Sequence, residues 1–254
     1  MRLIDVHCHL QSDVLRPQLS RIISDAEAVG VEKLITCATA PDDWNVCRDV
    51  CTEYECVSFA LGIHPWYIPD NADSFLDTLD ESDFAGAVAI GETGLDSRHP
   101  KYPMDKQIHI FRKQLKIASD VNLPVIIHCM GAWQELHHEL KSIPLRRGGV
   151  IHNFNGSREL AKTFSGLGFS FSIGGTLTYR DSAKRADMIR SIYPENLLFE
   201  TDSPDIPPRE KKGMINEPSN MVFVLKAASE LLGEDEDEIS ETTSKNADRI
   251  FFSR

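Results

Sequence analysis

No stretch of this chain approaches the run of roughly 20 apolar residues that a membrane-spanning helix needs. The start, MRLIDVHCHL, runs directly into a strand-like segment without an apolar leader or a small-residue cleavage site, so a cytoplasmic protein with no membrane association is expected. Cysteines are few: there are six, with neither a CxxC pair nor the regular spacing of a disulfide framework. No glycine-rich dinucleotide fingerprint follows the first apolar run. Low-complexity linkers, internal repeats and Pro/Gly-rich hinges are also lacking, which predicts one domain over residues 1–254. Positive charge is the last shortage, because 27 basic residues face 39 acidic ones and leave a net charge of −12. That surplus repels polyphosphate at long range and disfavours nonspecific duplex binding, so a nucleic-acid substrate has to be met by a local basic site.

What is present is ordinary for a globular protein, with 41% hydrophobic and 26% charged residues. Eight short apolar, β-branched runs recur: LIDVHCH, KLITCAT, CVSFALGIH, GAVAIGE, PVIIHC, GVIHNF, FSFSI and LLFETD. Most gaps between them carry helical spacing, as in Leu19, Ile22, Ile23 and Ala26, or Ile108, Phe111, Leu115 and Ala118, or Ala186, Ile189 and Ile192. Near-continuous apolar strands alternating with amphipathic helices suit a parallel sheet buried on both faces. Eight units predict an α/β fold, a (β/α)8 TIM-type barrel; an open doubly wound sheet is the alternative. Cys47 and Cys51 share a helical spacing with Trp44, Val50 and Tyr54 and read as packing residues. The acidic patch GEDEDEIS reads as the start of a helix, where carboxylates suit the positive end of the dipole.

The polar residues at the ends of the runs carry the chemical signal. His7 and His9 are one residue apart in a strand, so both side chains point one way and Cys8 the other. Glu92, His128, His152 and Asp202 each stand where another apolar run meets a loop. Six potential ligands thus gather from five strand ends, at the rim where a barrel's side chains converge. A catalytic zinc takes three protein ligands and an open position, so six point to two divalent ions sharing a carboxylate. The nitrogen-rich set favours zinc, manganese, cobalt or iron over magnesium. His137 and His138 sit on a helical pattern and, with His99 and His109, are left outside the site.

IDVHCHL, GIHPW, AIGETGLD, PVIIHC, IHNFNGS, ETDSP and NEP, in this order and spacing, make the chain resemble the TatD-family metal-dependent hydrolases of the amidohydrolase superfamily, which fold as a distorted (β/α)8 barrel. The resemblance implies that His7 and His9 hold one metal, His128 and His152 a second, and that Glu92 bridges them. By the same resemblance Asp202 binds the first metal and orients or deprotonates the attacking water. The implied activity is phosphodiester hydrolysis, chiefly deoxyribonuclease action on single strands from the 3′ end. The expected partner is therefore single-stranded DNA or a small phosphodiester, with no obligate protein partner.

Substrate contacts are expected from His64, whose family counterpart lies at the substrate pocket, and from Asn155, with Gly156 beside it. Trp66 is a candidate for base stacking. Further contacts are expected from the late loops, which carry Gly174, Gly175 and Arg180, then Arg209, Lys211 and Lys212. Two departures bear on the substrate: Met130 stands where the family commonly has an arginine, and Ile215 where a basic residue often precedes NEP. An amide or ester hydrolase, and a metal-binding barrel without turnover, are the alternatives.

Overall fold

The computed structural model describes residues 1–98, 101–179 and 182–253; His99 and Arg180 lie outside them. The eight apolar runs become strands β1 (Leu3–Cys8), β2 (Val31–Cys37), β3 (Val57–Leu61), β4 (Ala89–Asp96), β5 (Val125–Met130), β6 (Gly149–Ile151), β7 (Phe169–Ile173) and β8 (Leu197–Phe199). One helix follows each: α1 (Leu19–Ala28), α2 (Trp44–Glu53), α3 (Ala72–Thr78), α4 (Met104–Asp120), α5 (Trp133–Ser142), α6 (Arg158–Ser165), α7 (Ala183–Ile192) and α8 (Met221–Leu232), with α9 (Glu236–Ala247) added at the end. All eight strands form one parallel sheet in the order of the chain. A doubly wound sheet would reverse direction at its middle, so the unbroken order marks the barrel.

The helices form where the periodicity places them. Leu19, Ile22, Ile23 and Ala26 are the buried face of α1, and Trp44, Cys47 and Val50 that of α2. Asp235 caps α9 by accepting from the Asp237 N–H, and Glu236, Asp237 and Glu238 fill its first turn, as the acidic patch predicts. Two apolar layers result. One lies between strands and helices and includes Leu34, Phe111, Phe164 and Phe171. The other fills the barrel with Ile4, Val6, Ile35, Ile126, Val150 and Leu198, and the C-terminal residues Ala247, Ile250 and Phe251 pack onto it.

Between β8 and β1 the barrel is joined by the residues just past β8. The Asp202 N–H donates to the His7 carbonyl at 3.0 Å, and the His9 N–H to the Ser203 carbonyl at 2.7 Å. Fully buried Asp5 occupies this seam, its Oδ1 accepting from the Thr201 N–H at 3.0 Å and the His7 N–H at 3.2 Å, and its Oδ2 from the Thr201 hydroxyl at 2.5 Å. Burial pushes the Asp5 carboxyl up to about 7 against the pull of those donors. Asp5→Ala would strand two buried N–H groups, with the Thr201 hydroxyl left only its Ser203 contact, and is expected to cost about 2–5 kcal/mol of stability. A urea unfolding midpoint equal to that of the parent would refute this role.

Candidate metal centre

The ladder is irregular at three places, between Leu3 and Ile4 and between Asp5 and Cys8 in β1, and between Ile90 and Thr93 in β4; the last two flank ligands. Such bulges re-aim side chains. Here one surrounds His7 and the other Glu92. Val6 packs in the barrel interior and Cys8 in the outer layer, while His7 and His9 both reach the top of the barrel. Gly94 lets β4 approach β5 closely: at φ +147° it has a conformation unsuited to other residues, and a Cβ there would lie 1.9 Å from the His128 carbonyl oxygen. Asp202 has φ 58°, a left-handed conformation that Asp and Asn tolerate best among residues with a side chain.

The sequence-predicted ligands meet at one point. Glu92 Oε2 lies 3.4 Å from His7 Nε2 and 3.6 Å from His9 Nε2, and both nitrogens lie 3.5 Å from Asp202 Oδ1. Glu92 Oε1 faces the other way, 2.8 Å from His152 Nε2 and 3.2 Å from His128 Nδ1. Among the described residues, three clusters could hold a cation: His7, Glu92 and His152; His7, His9 and Asp202; and His64, Glu92 and His128.

Neighbouring groups decide which nitrogens present lone pairs. His9 Nδ1 is 2.8 Å from the Cys37 carbonyl and donates to it, leaving Nε2 toward Glu92 and Asp202. His128 Nε2 is 3.0 Å from Asp96 Oδ2, leaving Nδ1 toward Glu92. His64 behaves differently. Its Nδ1 accepts the Trp66 N–H at 3.0 Å, so its Nε2 carries the proton and donates toward Glu92 Oε1 at 3.2 Å. This removes His64 from the cation ligands, and burial holds it neutral, with its pKa down at about 4.

His7 is fully buried, stacked on His152 with ring centroids 4.0 Å apart, and neither of its nitrogens has a hydrogen-bond partner. Burial and the adjacent His152 lower its pKa and keep it neutral. A buried imidazole with bare nitrogens beside two carboxylates is costly unless a cation completes it. Glu92 stays ionised despite its burial because His64, His152 and His7 surround it.

Three supporting carboxylates were not foreseen. Asp96 holds His128 and also accepts the Trp66 indole N–H at 2.7 Å and the Arg98 N–H at 2.7 Å; against its burial, these donors hold its carboxyl at about 2. Glu200 accepts the Asn153 N–H at 2.7 Å and the Ser172 hydroxyl at 2.5 Å, with His152 Nδ1 3.7 Å away. Asp5 is the third. Glu92, Gly94 and Asp96 share one strand face by the two-residue period, which was the signal available for Asp96.

His9, Glu92, His128, His152 and Asp202, with fully buried His7 behind them, lie on the wall of a cavity of about 970 Å³ whose mouth carries Trp66, 37% exposed, and Tyr67, 51% exposed. Six carboxylates and one guanidinium, that of Arg16, line it among the described residues. Among the expected contacts, Asn155 and Gly156, the late-loop glycines Gly174 and Gly175, and Arg209, Lys211 and Lys212 are not brought to it. Asn155 is exposed and turns its amide to the sulfur of Met130, which lines the cavity, at 3.3 Å. Arg209 lines a separate cavity, because the loop after β8 turns away beyond Ile206. Arg180 is outside the described residues.

A family model described as "TatD related DNase" matches residues 4–252. The chain is 34% identical over 251 residues to the uncharacterized metal-dependent hydrolase YabD of Bacillus subtilis, covering 98% of each. It is 33% identical over 253 residues to the uncharacterized metal-dependent hydrolase YjjV of Escherichia coli, again covering 98% of each. The crystal structure of that YjjV, a TatD homologue, superposes with a TM-score of 0.93 at 32% identity, covering 100% of this chain and 99% of the other. Barrel, buried ligand clusters and end-to-end likeness converge, and the chain belongs to the TatD family of metal-dependent hydrolases.

Proposed function

We propose that this hydrolase cuts phosphodiesters with two divalent ions sharing Glu92, acting on single-stranded DNA from an end or on small phosphodiesters. The observation that carries the reading is the division of Glu92, one oxygen toward His7 and His9 with Asp202, the other toward His128 and His152. The bare, buried nitrogens of His7 support a cation among these residues. Zinc, manganese, cobalt or iron suits the nitrogen-rich set. Two ions held there would polarise the phosphoryl group, supply hydroxide near neutral pH and stabilise the oxygens of an in-line displacement.

The side chains supply the rest. Asp202 accepts the proton of the attacking water. His64, with its proton on Nε2, donates to a phosphate oxygen or the leaving group. Trp66 and Tyr67 offer faces on which a base can stack. The barrel core closes the floor of the cavity, and action from the 3′ end is the polarity that the family resemblance implies. Six free cysteines fit a reducing cytoplasm.

The experiment is hydrolysis of end-labelled single- and double-stranded DNA by stripped protein with manganese, zinc, cobalt, iron or magnesium restored. Shortening of single strands from one end, dependent on added ion, is the expected result; protein that has taken up metal yet leaves every strand intact refutes the nuclease reading. Met130 and the acidic cavity mouth favour a second reading, an uncharged ester or amide substrate, which a panel of such compounds would reveal. The Asp96 partnership gives a separate prediction. Asp96→Ala should weaken ion binding at His128 and His152 by about 10–100-fold, measured by competition with a chelator. Unchanged affinity would show that Asp96 does not orient His128.

A further inference from the structure

The charge of the chain poses a difficulty that its metal cavity does not solve. A strand carries many phosphates, and beyond the one at the ions the described cavity wall offers carboxylates and Arg16. A second cavity, of about 730 Å³, reverses that balance: Arg185 and Arg190 of α7, Arg209 of the β8–α8 loop and Lys226 of α8 line it, against Glu210 and Glu230. Four cations and two carboxylates leave a local surplus of two positive charges in a protein of net charge −12.

Two of these cations are held on carbonyls without being neutralised. Arg185 Nη1 donates to the Thr176 carbonyl at 2.6 Å, and Arg190 Nη2 to the Leu231 carbonyl at 2.8 Å. Arg209 has Glu210 at 3.6 Å, whereas Arg185, Arg190 and Lys226 form no ion pair among the described residues. Carbonyl partners fix the guanidinium groups and leave their charge for a ligand, so little side-chain entropy remains to be lost on binding.

The position joins this cavity to the first. The loop after β8 gives Pro204, Asp205 and Ile206 to the metal cavity and Arg209 and Glu210 to the basic one. Only Pro207 and Pro208 separate Ile206 from Arg209, so their Cα atoms lie within about 11 Å. The loop is anchored there, since the Arg209 N–H donates to the Thr178 hydroxyl at 2.7 Å and the Tyr179 hydroxyl to the Pro207 carbonyl at 3.0 Å.

We propose that this basic cavity is a phosphate subsite that holds the backbone of the strand a few nucleotides from the bond being cut. It rests on the phosphodiesterase reading for its ligand, a chain of phosphates, though not for its existence as an anion site. A free polyphosphate presents the same chemistry. Cutting at the ions and holding at the rim would let an acidic enzyme engage a polyanion without a basic surface.

The test is binding rather than turnover. Anisotropy of a labelled oligothymidylate, and calorimetry with tripolyphosphate, would be measured on the metal-loaded parent and on an Arg190→Gln, Lys226→Gln double variant whose thermal melting is checked. The subsite predicts roughly tenfold weaker oligonucleotide binding by the variant and a salt slope smaller by about 1.4, for two lost phosphate contacts on a single strand. A variant that binds both ligands as the parent does overturns the subsite, as does a parent that binds neither. A parent that binds tripolyphosphate through these residues but no oligonucleotide keeps the anion site, assigns it to a free polyphosphate, and overturns the strand reading alone.

Discussion

Asp202→Asn is expected to lower hydrolysis by about 10³-fold or more while the protein stays folded. General-base catalysis by a positioned carboxylate is worth roughly 10²–10⁴-fold, and Asp202 also stands 3.5 Å from both His7 Nε2 and His9 Nε2. Against its burial, the hydrogen bond with His9 and the charge of His152 hold its pKa below the usual carboxylate value and keep it ionised, the form needed to take a proton. Asn preserves the shape and tolerates the left-handed backbone of this position. Its amide has no comparable affinity for a proton, so the chemistry fails before the fold does. The check is turnover beside a melting curve; a folded variant with a tenth of the parental rate would remove Asp202 from the chemistry.

Metal removal is expected to have the largest effect on stability. The site gathers His7, His9, His128 and His152 around Glu92 and Asp202, so a cation that binds this arrangement and not the unfolded chain stabilises the fold. At a free ion concentration of about 1,000 times Kd the gain is about 4 kcal/mol. A change of 1 kcal/mol moves Tm by roughly 2–4 °C for a chain of about this length, so stripping should lower Tm by roughly 8–16 °C. Glu92→Gln should remove much of that difference, because both ions lose their shared anion. Equal melting of stripped and loaded parent would show that these residues do not hold ions as a unit.

Much of this was legible in the sequence because burial leaves a pattern. Parallel strands covered on both faces must be apolar throughout, so all eight stood out, and their number and order led to the barrel. The ligand cluster was legible because imidazoles at strand ends, as at His7, His9, His128 and His152, interrupt that apolar pattern. The supporting carboxylates were harder. Asp96 lies inside β4, beyond the point where the apolar run stops, and Glu200 is two residues before Asp202 in a segment whose turn hides its direction. Asp5 sits within an apolar strand because it accepts hydrogen bonds from Thr201, near the far end of the chain, a contact that local sequence does not encode. Asn155 and Arg209 show the converse limit: a loop's residues can be placed at the rim, yet which cavity each faces depends on how the loop turns.

The most direct test of the central claim is anomalous diffraction at the manganese edge from crystals of the manganese-loaded protein. The account predicts two peaks on either side of the Glu92 carboxylate, one among His7, His9 and Asp202 and the other between His128 and His152. A single peak at full loading, or two that do not share Glu92, would contradict it.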